Sequence, residues 1–295
     1  LNLSPISNAN ELDFYKSAEE FETAMWSAYN SLYTLYDPES LPSFFGELMS
    51  DNVYSDNTAG NVADYEAFDN HTNMNENNEL VLMFWNDYYS ALFKVNNIIA
   101  KSAPLEFDGK DALIAEARFL RALYYFDMVR AWGDVPLVTE PLSIEESYTV
   151  GRTPASEVYT QIINDLEFAA TNLPEKASER FVGAACQEAA NALLGKVYLT
   201  MGDKTSATTA LMKVYGKFSL VPYADLWDMT QKNNESSIFE IQYMGGKSNP
   251  YSRYWAMFSP LDNRIVTAWG AGENQASDDL WDAYEAGDPR RDISI

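Results

Sequence analysis

The chain has one cysteine, Cys186, and one histidine, His71. Any Cys-His or Ser-His nucleophilic pair must draw on that single imidazole. Cys186 lies in "GAACQEAA", a small-residue helix start, and reads as a buried structural thiol, with reactivity as the alternative. His71 lies in the polar stretch "DNHTNMNE". No G-x-S-x-G, C-x-x-C, H-E-x-x-H, P-loop or G-x-G-x-x-G occurs. "WGAGEN", at Trp269 to Asn274, lacks the third glycine and a preceding strand, and reads as a turn. Among 44 acidic residues, a carboxylate pair suited to glycoside hydrolysis is a weak signal.

Aromatic residues carry more information. Nineteen Tyr and seven Trp are a heavy aromatic load; most of these rings are expected in the core, and some are candidates for a stacking surface. The net charge of -24 and pI near 4.2 argue against nucleic acid and anionic lipid headgroups as partners, and against polyanionic ligands. One cysteine excludes an internal disulfide framework. No stretch approaches the roughly 18 apolar residues of a spanning helix. The chain begins at Leu1 rather than Met and opens without a signal peptide, as expected of a processed or trimmed sequence.

Helices must position these loops. In residues 11–36, Phe14, Ala18, Phe21, Met25, Ala28, Leu32 and Leu35 step by three and four, and Asp37-Pro38 stops the helix. Residues 38–79 read as a long Asn/Asp/Ser/Gly loop with a short helix near Phe44 to Met49. The helix over 79–101 is expected to bury Leu82, Trp85, Tyr89, Leu92 and Val95. The helix over 110–131 is expected to bury Leu113, Ala117, Leu120, Tyr124, Met128 and Ala131; Arg118, Arg121 and Arg130, beside Glu116 and Asp127, read as solvated or loosely paired charges, with anion sites as the alternative. It stops at "WGDVP", where Gly133 allows a left-handed turn and Pro136 cannot continue the ladder. Thr153 is expected to cap the next helix, with Pro154 in its first turn. Trp26, Trp85, Trp132 and Tyr198 are assigned to core.

In "ALLGKVYLTMGD", Leu194-Gly195-x-x-Tyr198 matches the middle of the tetratricopeptide signature, and Gly202-Asp203 supplies the turn of a helical hairpin. "SSIFEIQYM" alternates as a strand or extended edge. Residues 245–275 form a Gly/Asn/Ser loop studded with rings. "SDDLWDAYEAGDPRRDISI" reads as a short helix with Ser277 as N-cap and Gly287 after its end. The expected fold is all-α, with tetratricopeptide-like repeats at about 11–37 and 79–215, long inserted loops and little β structure.

Five segments in order resemble the SusD/RagB family: the opening "LNLSPISNANELDFYKSAEEFETAMWSAYNSLY", "EARFLRALYYFDMVRAWGDVPLV", "GRTPASEVYTQIINDLEFAATNLP", "ALLGKVYLTMGD" and "DDLWDAYEAGDPRRD". The resemblance implies a single SusD-like domain over 1–295, with ligand loops at about 38–78 and 216–275. It implies a non-catalytic, glycan-binding outer-membrane lipoprotein of Bacteroidetes-type bacteria, active in polysaccharide utilization. The partner it implies is a SusC-like TonB-dependent transporter, and the membrane link is a lipidated Cys ahead of the mature start. Members of the family continue past the "DPR" region, so a C-terminal part is expected to be missing here.

The resemblance places the glycan site in residues 44–75 and 245–275, by region rather than by motif. The candidates are Asp51, Asn52, Tyr54, Tyr65, Phe68 and His71 from the first, and Tyr251, Arg253, Tyr254, Trp255, Asn263 and Trp269 from the second. Each ring has a competing reading in which it pins its loop. No cofactor is expected. The Asp/Asn loop offers oxygen ligands for a structural Ca²⁺ but lacks D-x-[DN]-x-[DN]-G spacing. The alternatives are a tetratricopeptide interaction scaffold, a peptide-nutrient binder and a glycoside hydrolase.

Overall fold

Tyr124, Tyr125, Phe126, Phe119 and Leu120 are all buried in one helix, so that helix is enclosed nearly all round. The computed structural model that shows this describes residues 14–56, 62–243, 251–259 and 272–294. In chain order its helices are α1 (Ala18–Leu35), α2 (Leu41–Ser43), α3 (Val62–Asp69), α4 (Glu79–Ser102), α5 (Lys110–Trp132), α6 (Ile144–Ser147), α7 (Ala155–Asn172), α8 (Gln187–Thr200), α9 (Lys204–Leu211), α10 (Tyr254–Met257), α11 (Asp278–Ala283) and α12 (Pro289–Ser294). A π-type turn, Phe44–Leu48, follows α2 directly. Strands β1 (Val53–Tyr54) and β2 (Gln275–Ala276) pair antiparallel. The fold is all-α, as the hydrophobic periodicities predict. None of the helices among the described residues is long and apolar enough to cross a membrane.

Two compact units divide the chain. The first comprises residues 1–31, 89–219 and 237–240; the second comprises 32–88, 220–236 and 241–295.

In the first unit α5 packs on α7, α7 on α8 and α8 on α9, the succession of helical hairpins expected. Gly195 lets α8 and α9 close: a Cβ there would lie 2.5 Å from the Leu211 side chain. Gly202, at φ 83°, makes the turn, and the Asp203 carboxylate caps α9 by accepting from Ser206 N at 3.0 Å. Cys186 is buried at the start of α8, its thiol pushed up by burial, in keeping with the structural reading.

The "WGDVP" turn does more than end α5. Gly133 takes φ 68°. Asp134 then caps α7 from a distance, accepting from Ala155 N at 2.8 Å, while Arg152 Nε donates to the Asp134 carbonyl at 3.0 Å. Thr153 is therefore not the cap. It pairs with Val135, its hydroxyl accepts from Leu137 N, and α7 begins one residue later than anticipated.

Other expectations change for identifiable reasons. Arg121 is 4% exposed rather than solvated. Its Nε and Nη2 donate to the two Asp165 oxygens at 2.7 and 2.8 Å, and its Nη1 donates to Asn96 Oδ1 and the Thr139 carbonyl at 3.0 and 2.9 Å. Glu116 is likewise buried and accepts both ends of the Arg180 fork. Arg118 lies over the Phe168 ring, and Arg130 pairs with Asp127. On α4 the buried face is Leu80, Phe84, Tyr88, Leu92 and Val95, and Leu82 is exposed. Trp26 is 46% exposed, packed against Phe181 with Arg180 beside it, and Trp85, Trp132 and Tyr198 are only half-buried. Residues 237–243 form no strand, because Ile238 and Phe239 are pinned to Cys186 and Phe119 rather than to a ladder.

In the second unit Leu41, Phe44, Leu48, Phe68 and Phe84 form a small aromatic core. The anticipated loop over 38–79 thus contains α2, the π-type turn, β1 and α3.

Asp165→Asn leaves the Arg121 guanidinium buried without its counter-charge. The expected loss is about 3–5 kcal/mol of unfolding free energy, measured by denaturant titration.

Candidate functional site

Helix α1 ends because Pro38 follows Asp37, and the site is built on the groups this stop leaves exposed. The Tyr36 carbonyl accepts the phenols of Tyr243 and Tyr254, at 3.2 and 2.9 Å. The Asp37 carboxylate takes both Nε and Nη2 of Arg253, the former at 3.1 Å. Glu39 accepts from Arg253 Nη2 at 3.0 Å and from the Tyr65 hydroxyl. Tyr33 donates to the Gln242 carbonyl at 3.0 Å, with its ring 5.2 Å from that of Tyr243. All of these residues belong to the second unit.

Beside this cluster opens a cleft of ≈ 380 Å³. Tyr33, Tyr243 and Tyr251 line it, together with the charged Asp37, Glu39 and Arg253. Thr34 and, from α4, Met83 and Asp87 complete the lining. Tyr251 is 45% exposed. The arrangement supplies flat apolar faces beside hydrogen-bond acceptors and one guanidinium fork.

The electrostatics follow from crowding. Arg253 is held well above its ordinary value, chiefly by its hydrogen bond to Asp37. The Tyr243 and Tyr65 phenols are raised by burial. Glu273 is buried, and burial with Glu39 nearby pushes its carboxyl up to about 7. Among the described residues no group of three or more His, Cys, Asp or Glu is placed to hold a metal ion.

The structure sorts the anticipated site residues. Tyr251 and Arg253 line the cleft. Phe68 is fully buried among Phe44, Phe45 and Phe84, and Tyr65 is buried with its hydroxyl on Glu39, so neither presents a face to solvent. Tyr254 is half-buried and spends its hydroxyl on the Tyr36 carbonyl. The Asp51 and Asn52 carbonyls accept from Ser277, so that segment secures the start of α11. Tyr54 is exposed on β1, and His71 is exposed at φ 54°; neither lines the cleft. Trp255 falls within α10, but its side chain lies outside the description, and Asn263 and Trp269 lie outside the described residues.

Sequence reasoning missed Tyr33, Thr34, Asp37, Glu39, Met83, Asp87 and Tyr243. Asp37 was legible only as a helix stop. On α4, Met83 and Asp87 flank the buried stripe of Leu80, Phe84 and Tyr88, a position that carries no mark in the sequence.

The first unit is a succession of packed helical hairpins, and the second holds a cleft with tyrosines in its lining. Comparison with known proteins gives this arrangement a family. The SusD-like family model described as "Starch-binding associating with outer membrane" matches residues 4–199, and the chain belongs to this family. SusD-like protein P2 of Formosa agariphila is 26% identical over all of this chain and 60% of its own length. A solved laminarin-binding SusD-like protein is 28% identical, with TM-score 0.78, over 95% of this chain and 66% of that one. Surface glycan-binding protein A from Bacteroides fluxus is 27% identical, with TM-score 0.76, over 94% of this chain and 63% of that one. The chain therefore spans about 60% of the length of the first of these relatives.

A buried carboxyl raised to about 7 favours folding while it is protonated. That contribution is complete below the ordinary value of 4.5 and is lost as pH rises through about 7. Thermal melts from pH 4.5 to 8 are expected to show the wild type losing on the order of 2–3 kcal/mol that Glu273→Gln retains.

Proposed function

We propose that the second-unit cleft is the carbohydrate site of a non-catalytic, cell-surface glycan-binding lipoprotein that passes oligosaccharide to a SusC-like TonB-dependent transporter. The observation that carries this reading is the cleft itself: three tyrosines, among them the exposed Tyr251, line it together with Arg253, Asp37 and Glu39. A sugar offers an apolar C–H face and a hydroxyl edge. Rings meet the face, and carboxylates and guanidinium meet the edge. Each hydrogen bond contributes about 1 kcal/mol net, and each ring contact a similar amount. Affinity for a short oligosaccharide is then roughly millimolar to micromolar, strengthened by avidity along a polymer.

The family match, described as starch-binding and associating with the outer membrane, supports the same reading. So do relatives whose names record binding of laminarin and of surface glycans. Outer-membrane attachment through a lipid anchor and docking on the transporter belong to this proposal.

Calorimetry against a panel that includes starch and laminarin oligosaccharides tests it. The expected result is binding by the wild type, with no shortened products by chromatography. Tyr251→Ala is expected to weaken that binding about five- to tenfold, the value of one ring contact. Product formation, or a panel without binding, would count against the reading.

A further inference from the structure

The cleft's charges are not equally committed. Asp37 and Glu39 are occupied by Arg253, and Glu39 also by Tyr65. Asp87 is different. It projects from α4 into the same cleft and is half-buried, yet among the described residues it has no hydrogen-bond or ion-pair partner. A carboxylate removed from part of its water without receiving a donor is costly. Burial accordingly raises its carboxyl above the ordinary range.

We propose that Asp87 is the specificity-determining residue of the cleft: it accepts hydrogen bonds from hydroxyl or ammonium groups of a neutral or amine-bearing glycan and excludes glycans carrying uronate or sulfate. The proposal rests on the carbohydrate reading above and assigns the ligand's charge class. Three lining carboxylates, Asp37, Glu39 and Asp87, face one lining cation, Arg253, among the described residues. A ligand carboxylate entering this cleft meets Arg253 already neutralised by two partners, and Asp87 meets it as a bare like charge. A vicinal diol is the opposite case. Its two hydroxyl donors satisfy both carboxylate oxygens, and the ring carbons between them rest against the lining tyrosines. The overall charge of -24 acts in the same direction at longer range.

The experiment uses three oligosaccharide sets of matched length: neutral glucans, partly N-deacetylated chitin fragments and oligogalacturonates. Binding to wild type, Asp87→Asn and Asp87→Ala is measured by calorimetry at pH 7.5, with circular dichroism confirming the fold of each variant. Wild type is expected to bind a neutral or amine-bearing member at least tenfold tighter than any uronate. Asp87→Asn, which keeps the shape and removes the charge, is expected to weaken that ligand about tenfold and to narrow the gap to the uronates. Equal or tighter uronate binding by the wild type would overturn the charge assignment and leave the carbohydrate reading intact. An unchanged preference in Asp87→Asn would overturn the role of Asp87. No binding by any set to folded wild type would remove the carbohydrate reading and this inference with it.

Discussion

The pairing of Asp37 with Arg253 is the constraint on which the cleft depends. It joins residues 216 apart in sequence, and it works because Asp37 sits where Pro38 has stopped α1. A helix end leaves carbonyls without intrahelical partners. The Tyr36 carbonyl is satisfied by two phenols from the distal segment, Tyr243 and Tyr254. One helix terminus thus receives a guanidinium and two hydroxyls, all from residues 243–254. Tyr251 reaches the cleft because its neighbours are secured in this way. Charge, capping and ring placement are therefore one arrangement.

The first unit uses buried charge for a related purpose. Arg121 has an enclosed counter-ion and two further acceptors, which take four of its five N–H donors and offset the cost of its burial. The bonds run to α4, α7 and the segment after the "WGDVP" turn. Asp134, within that turn, meanwhile caps α7. Each link fixes how a helix meets its neighbour, which apolar stripes alone leave loosely specified, since a stripe can slide by a turn at small cost. A motif legible as a helix stop proves to be a joint between two helices.

The helices were readable because their signals are local. Periodic apolar residues, Pro after a helix end, and glycines at Gly133, Gly202 and Gly287 each act within a few residues. Gly195 was readable as a close-approach position for the same reason. Reading failed where the competing partner was remote. Thr153 looked like a cap because nothing nearby revealed that Asp134 would reach Ala155. Arg121 looked solvated because Asp165 lies 44 residues away. Phe68 and Tyr65 looked like loop rings because α3 was hidden in a polar stretch.

The sequence by itself determined the all-α class, the helical hairpins, the net acidic charge and the family resemblance, because each depends on composition or short-range spacing. Only the tertiary structure decided which rings and carboxylates share a cleft. Of the anticipated site residues it places Tyr251 and Arg253 there, and it adds Tyr33, Asp37 and Asp87. The physical reason is that a binding surface is assembled from side chains distant in sequence, whose convergence is set by buried ion pairs and helix-end hydrogen bonds rather than by any pattern along the chain.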